Sequence, residues 1–398
     1  MSGDEVGVVD RYLEVGLRLG RHNPEIVDAY YGPGAISAGV ASEPVRAPEA
    51  LRGDVRRLLA DLDGGIEPGI AGRRRAWIAG QLRGLEVVCA KLAGDDISYV
   101  DEVEACYGVT PRRVDESEIA DAQVTLDDSL PGSGPVADRL AAFRDAHVIP
   151  PDRVDGVIAD LLDEFRVRTD TMFGLPDGER VRFEIVSDKP WSGFNYYEGG
   201  LSSRVAINND LPVLSTSVGH LVAHEAYPGH HTEHCLKEVG LVRRHHHDEE
   251  SLFLVGTPQC LMAEGLADLG LEVLLGDDRL RVVGDIVRSH GVTHDDEVIA
   301  SVTSWGEMSS RVRGNLGMML HADGTAPDDV MAYAERWLLV DRPRAAKSVE
   351  FMCDPTWRAY ISCYVEGLPL CRDFVDGDPG RFARLLTEQL LPSDLIAA

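Results

Sequence analysis

The sequence predicts a mainly α-helical fold carrying one small antiparallel β-sheet or hairpin. Apolar residues recur at three-to-four spacing through most of the 398 residues, and one stretch, 180–208, alternates instead. An apolar fraction of 44% is ample for a large core. In chain order, helices are expected over 4–20, 48–62, 71–92, 135–147 and 153–172, with breaks at Pro131-Gly132-Ser133-Gly134 and Pro150-Pro151. From Val181 to Val186 the chain alternates. An aromatic and glycine run, Trp191 to Gly200, follows, and residues 203–208 alternate again up to the turn signal Asn208-Asn209-Asp210. Helical spacing then returns over 212–227, a broken segment to about 239, and 249–275, 278–290, 295–321, 327–339, 355–371 and 380–390.

No fixed-period repeat or low-complexity linker interrupts this order. The chain divides most simply into an N-terminal helical lobe, 1–175, and a second lobe, 176–398. The second lobe holds the small sheet (176–210), the helices of 212–275 and a helical C-terminal part. The two read as one continuous helical unit.

Charge narrows the function. With 39 basic and 67 acidic side chains the formal charge is −28, and only four of the basic residues are lysines. Such a surface repels phosphate backbones and anionic lipid, which argues against nucleic-acid and membrane partners. It suits solubility, a salt-rich habitat, or attraction of cationic ligands. Asp4 and Glu5 stand where a secretory signal carries basic residues, and no uncharged run reaches the roughly 18 residues of a membrane span. Seven scattered cysteines without a Cys-x-x-Cys pair point to buried reduced thiols and a cytoplasmic setting.

Eight of the 13 histidines fall between 220 and 247. His245, His246 and His247 sit among arginines and acids and read as a solvated turn. His224-Glu225 differs, because it closes an apolar helical run. A His-Glu pair on a helix supplies a zinc ligand and an adjacent general base, with a second histidine normally four residues on. Here position 228 is proline, and the next histidines are His230 and His231. A six-residue step on an unbroken helix rotates about 240° and rises about 9 Å, too far for two nitrogens on one ion. Pro228 and Gly229 can break the helix and fold His230 back beneath His224. The competing pair is His220 with His224, four apart on one face and needing no break, and on spacing alone it is the better chelate.

A further ligand must come from another helix. In the apolar run 258–275, Glu264 and Asp268 stand four apart, and carboxylates on such a helix are costly unless paired or bound to a cation. Glu264 as ligand, with Asp268 accepting the second N–H of a ligating histidine, accounts for both.

The segment His224-Glu225-Ala226-Tyr227-Pro228-Gly229-His230-His231, followed by Ala263-Glu264-Gly265-Leu266-Ala267-Asp268, resembles the bacterial domain-of-unknown-function 885 family. That family is similar to the helical glutamate-type zincins, which include carboxypeptidase Taq and angiotensin-converting enzyme. Looser likeness extends to Asp28-Ala29-Tyr30-Tyr31-Gly32-Pro33, Leu130-Pro131-Gly132-Ser133-Gly134, Ile207-Asn208-Asn209-Asp210-Leu211-Pro212, and Arg358-Ala359-Tyr360 with Tyr364 and Gly367. Leu266 departs from the tryptophan usual in the family. The resemblance implies a helical zincin-like metallopeptidase body with its small sheet next to the active-site helix. It selects His224, His230 and Glu264 as ligands of one zinc ion, with Asp268 behind them and Glu225 as base. The spacing of Glu264 and Asp268 also resembles that of ligand and orienter in thermolysin-type enzymes.

On this reading Glu225 takes a proton from water attacking a carbonyl and passes it to the leaving amine. Tyr364, then Tyr360, are the candidates for stabilising the oxyanion, and strand 203–208 is the candidate edge for an extended substrate. The expected substrate is a short peptide. A non-peptide amide or specialised metabolite is the alternative, and a catalytically degenerate metal-binding scaffold the second.

Overall fold

The computed structural model describes residues 7–65, 69–188, 193–208 and 210–397. Its described residues form a mainly helical body with two small sheets. Among the described residues no helix is long and apolar enough to cross a membrane. The helices expected from periodicity are present, among them Val8–Gly20, Pro48–Gly64, Gly72–Leu92, Val136–Ala146, Pro151–Phe173 and Asp296–His321. Residues 4–6, Trp191, Ser192 and Asn209 lie outside the described residues. Several short helices were not expected from the sequence. Tyr99–Tyr107 is one of them, fixed by its ends: the Ser98 hydroxyl accepts from Asp101 N–H, and Gly108 closes it in the left-handed region at φ 69°.

One small antiparallel hairpin or meander over about 180–208 was expected, and the described residues instead form five strands in two sheets. β1 (Val27–Tyr30) is not hydrogen-bonded into the sheet of β2 (Arg180–Val186), β3 (Gly193–Gly199) and β4 (Ser202–Asn208), and pairs antiparallel with β5 (Leu252–Leu254). The single helix expected over 249–275 is thus interrupted: Leu252 to Leu254 are drawn into a strand, and the helix starts at Pro258, a residue suited to a first helical turn. In the larger sheet the order is β2-β4-β3, with β3 and β4 antiparallel as expected and β2 parallel to β4. β4 is therefore central, its two edges already bonded, and cannot be the edge that takes up a substrate. β3 lies at an edge.

Two apolar clusters meet where the histidine segment lies. One contains Ala263, Leu266, Ala267 and Cys363. The other contains Val218, Val222, Ala223, Ala226 and Tyr227. Each fully buried aliphatic side chain contributes about 1.5–3 kcal/mol, so both walls of the site are held by packing rather than by the polar groups between them.

Candidate metal centre

The helix Val218–Glu225 ends where Pro228 forbids its continuation. The chain turns through Ala226, at φ −122° and ψ −87°, and a new helix, His230–Lys237, begins. The Gly229 N–H bonds the Ala223 carbonyl at 2.9 Å. A Cβ on Gly229 would collide with the His224 carbonyl oxygen and lie 2.6 Å from that of Ala223, so only glycine permits this fold-back. The result places His230 Nε2 3.1 Å from His224 Nε2.

The third member comes from the helix Pro258–Leu275. Glu264 Oε2 lies 3.5 Å from His224 Nε2, and Glu264 Oε1 lies 3.8 Å from His230 Nε2. Asp268, one turn on, accepts from His224 Nδ1 at 2.9 Å and faces His220 Nε2 at 3.3 Å. His224, His230, Glu264 and Asp268 are thus brought together as the sequence proposed. His220 stands at the rim, with its nearest partner Asp268. His231 does not join the cluster: its ring is wholly buried, its Nε2 bonding Glu179 at 2.9 Å and its Nδ1 Ser203 at 2.8 Å.

The ligand helix is crossed closely by Ile361–Val375. A Cβ on Gly265 would run into the Gly367 carbonyl, and one on Gly367 would lie 2.9 Å from that of Leu261. This glycine-on-glycine approach brings Tyr360, at the start of the second helix, against Glu264: its hydroxyl donates to Oε1 at 2.8 Å. Tyr364 stacks edge-on to Tyr360 with ring centroids 5.4 Å apart. Arg358 is committed elsewhere, to Glu102 and the Ile97 carbonyl.

Glu225 is buried at 5% exposure, with its carboxylate beside β3. A Cβ on Gly193 would lie 3.1 Å from Glu225 Oε1 and 2.8 Å from Leu221 Cδ1. The missing side chain lets the edge strand run directly against the carboxylate. Asn195, also on β3, donates to the Glu225 carbonyl at 2.6 Å.

The donor set fits a divalent ion. Three donors sharing a zinc at about 2.0–2.2 Å stand some 3–3.5 Å apart, close to the separations seen. Glu264 Oε2 is buried and, among the described residues, has no hydrogen-bond partner. With Nδ1–H of His224 given to Asp268, a neutral ring presents an Nε2 lone pair toward His230 Nε2, and a protonated ring donates across that 3.1 Å gap. Two acceptors and a carboxylate converging in a buried space require a cation or a proton. Burial raises Glu264 to about 7, reinforced by Asp268 and Glu225 against the opposing His224 charge. Burial would lower His224, but its bond to Asp268 and the neighbouring acids carry it up to about 10. Asp268 is pushed up by burial and pulled further down by His220 and His224. Burial, with His224 adding to it, drives His230 well below its ordinary value.

Sequence reasoning passed over two acids. Glu179 anchors the buried side of the fold-back: besides His231 it accepts from the Tyr227 hydroxyl at 2.5 Å and from Arg166 Nε at 2.7 Å. It precedes β2 in an unpatterned turn, so no spacing marked it. Asp28, in a segment noted only for loose resemblance, reaches electrostatic range of Glu225.

No family model matches the chain, and no curated protein matches it. Among solved structures, a candidate lipoprotein from Colwellia psychrerythraea superposes with a TM-score of 0.55 at 14% identity, over 88% of this chain and 66% of that protein's length. That likeness shows a shared helical fold. An M32 carboxypeptidase from Deinococcus radiodurans R1 aligns over 95% of this chain and 86% of its own, at 15% identity and a TM-score of 0.38, too loosely to define a common fold.

Proposed function

We propose that this protein is a zinc-dependent metallopeptidase of short peptides, belonging with the domain-of-unknown-function 885 family and acting in the cytoplasm. The observation that carries the reading is the convergence of His224, His230 and the unpartnered oxygen of Glu264, with Glu225 one residue from the first ligand. His224, His230 and Glu264 would hold the ion. When bound, zinc supplies Lewis acidity, polarising a carbonyl and easing deprotonation of water. A purely structural site has no use for a buried base beside its ligand.

The chain's own groups do the rest. Burial raises Glu225 above the ordinary carboxylate range, the histidines opposing, which suits a group that takes a proton from water and returns it to an amine. Asp268 holds the His224 ring in the tautomer that leaves Nε2 free. Tyr360 fixes the Glu264 carboxylate, and Tyr364, stacked on it, is the remaining donor for a developing oxyanion. β3, the edge strand against Glu225, supplies backbone groups for an extended peptide.

The test pairs metal analysis with a mixed-peptide cleavage assay. Wild type and Glu225→Gln should both carry about one zinc, with cleavage falling on the order of 100- to 10,000-fold in the variant. A wild type that takes up no metal, or equal cleavage by the variant, sinks the reading.

A further inference from the structure

A cavity of about 180 Å³ opens beside the metal cluster, one turn back along the helix that carries His224. Its wall is aliphatic: Ile207 from β4, then Leu211, Val213 and Leu214, then Val218 and Leu221 from the helix Val218–Glu225. No lysine, arginine or carboxylate is among the residues lining it. Leu211 is 57% exposed, so part of the wall faces solvent.

Two lining residues tie the cavity to the site. His220 borders it, and its Nε2 lies 3.3 Å from the Asp268 oxygen that holds His224 at 2.9 Å. Leu221 stands four residues before Glu225 on the same helix face, a rise of about 6 Å. Both meet Gly193: a Cβ there would lie 2.8 Å from Leu221 Cδ1 and 3.1 Å from Glu225 Oε1. The ladder partner of Gly193 is Ile207, itself part of the cavity wall. An extended chain advances about 3.3 Å per residue. A peptide laid along β3 with a carbonyl near Glu225 therefore has a side chain at the cavity within two residues of that carbonyl.

Size and chemistry name the occupant. An apolar cavity of about 150 Å³ is enough to bind benzene, so this one admits a leucine or phenylalanine side chain. Its aliphatic wall offers a charged side chain no partner, and burying such a charge is costly.

Resting on the metallopeptidase reading, we propose that this cavity is the side-chain subsite that sets substrate preference, taking a leucine- or phenylalanine-sized apolar residue within two positions of the cleaved bond. Zinc-loaded Glu225→Gln protein, which binds without turnover, is titrated calorimetrically with N-acetyl-penta-alanine amide. Further probes carry a single leucine, phenylalanine, lysine or aspartate at each position in turn. At one position leucine or phenylalanine should bind about 10- to 100-fold more tightly than alanine, the gain from burying such a side chain. Lysine and aspartate there should bind no more tightly than alanine. Ser217 is an exposed lining residue, and adding Ser217→Phe fills the cavity. It should cut the preference to about threefold or less while zinc content and melting temperature hold. Leu211→Asp, which puts a charge in the wall, makes the same test should Ser217→Phe fold poorly. Equal affinity for alanine, leucine and phenylalanine at every position, no binding of any probe, or a preference that survives both substitutions overturns the subsite. Cleavage that is indifferent to Glu225→Gln overturns the catalytic reading instead; the preference and its loss are read from binding alone, so the two failures are distinct.

Discussion

His230 and His231 are neighbours in sequence and face opposite environments. On one side, His224, His230 and Glu264 bring lone pairs together and leave Glu264 Oε2 buried without a hydrogen bond. On the other, His231, Glu179, Tyr227, Arg166 and Ser203 use the same kinds of group, and none of their buried polar atoms lacks a partner. Both regions are buried clusters of histidine, glutamate and tyrosine. The difference is satisfaction: the closed network is a strut that fixes the Tyr227–Gly229 turn, and the open one awaits a cation. Residue type and burial do not tell them apart. Counting donors against acceptors does.

The comparison can be broken by exchanging one residue from each side. His230→Ala should cost more than 100-fold in zinc affinity, exceeding the roughly 10–100-fold typical of losing an outer partner such as Asp268; competition with a chelator measures it. His231→Ala should keep its zinc but lose about 3–5 kcal/mol of stability, because it leaves part of a buried charge network unpaired. Retained metal in the first variant, or lost metal in the folded second, would reverse the two roles.

Acid should sharpen the contrast. Burial tends to raise Glu179, but hydrogen bonds from His231 and Tyr227 hold it down at about 2. A depressed carboxylate contributes stability that is fully present above its unfolded value, about 4.3, and is lost as pH falls toward its folded value. Chemical denaturation from pH 5 to 2 should therefore show about 2–4 kcal/mol from this group. Glu179→Gln should flatten that part of the profile. Smaller still, Tyr227→Phe should cost about 1–3 kcal/mol. Tyr360→Phe, which touches the open cluster, should cost about 1 kcal/mol or less and chiefly disturb zinc affinity. A large stability loss in Tyr360→Phe with zinc affinity intact would mean that Tyr360 is another strut.

The site was more legible than the sheets. His224, Glu225, His230, Glu264 and Asp268 lie in two short segments, and Pro228 announces the break that lets them meet. Spacing alone favoured His220, four residues from His224 and needing no break, because bringing in His230 turns on a backbone path that only Gly229 permits. The longer helices were readable from their apolar faces, while the short helix Tyr99–Tyr107 was not, although Tyr99, Val103, Cys106 and Tyr107 share one face. β1 and β5 were not, because three- and four-residue strands more than 200 positions apart leave no local pattern. The parallel pairing of β2 with β4 was hidden for a related reason: adjacent alternating segments suggest a hairpin, and here β3 supplies the hairpin partner. The order of the two tyrosines was also invisible, as the Gly265–Gly367 crossing decides which of them reaches Glu264.

That the three proposed ligand side chains project from helices rooted in two different apolar clusters would give an ion bound there a mechanical role. It would cross-link the clusters noncovalently, and its binding energy would enter the unfolding equilibrium. At a free metal concentration of 1,000 times Kd, this linkage amounts to about 4 kcal/mol. Chelation should therefore loosen the seam as well as silence the chemistry. On the proposed function, a cell short of zinc would hold a population of this protein that is both inactive and easier to degrade.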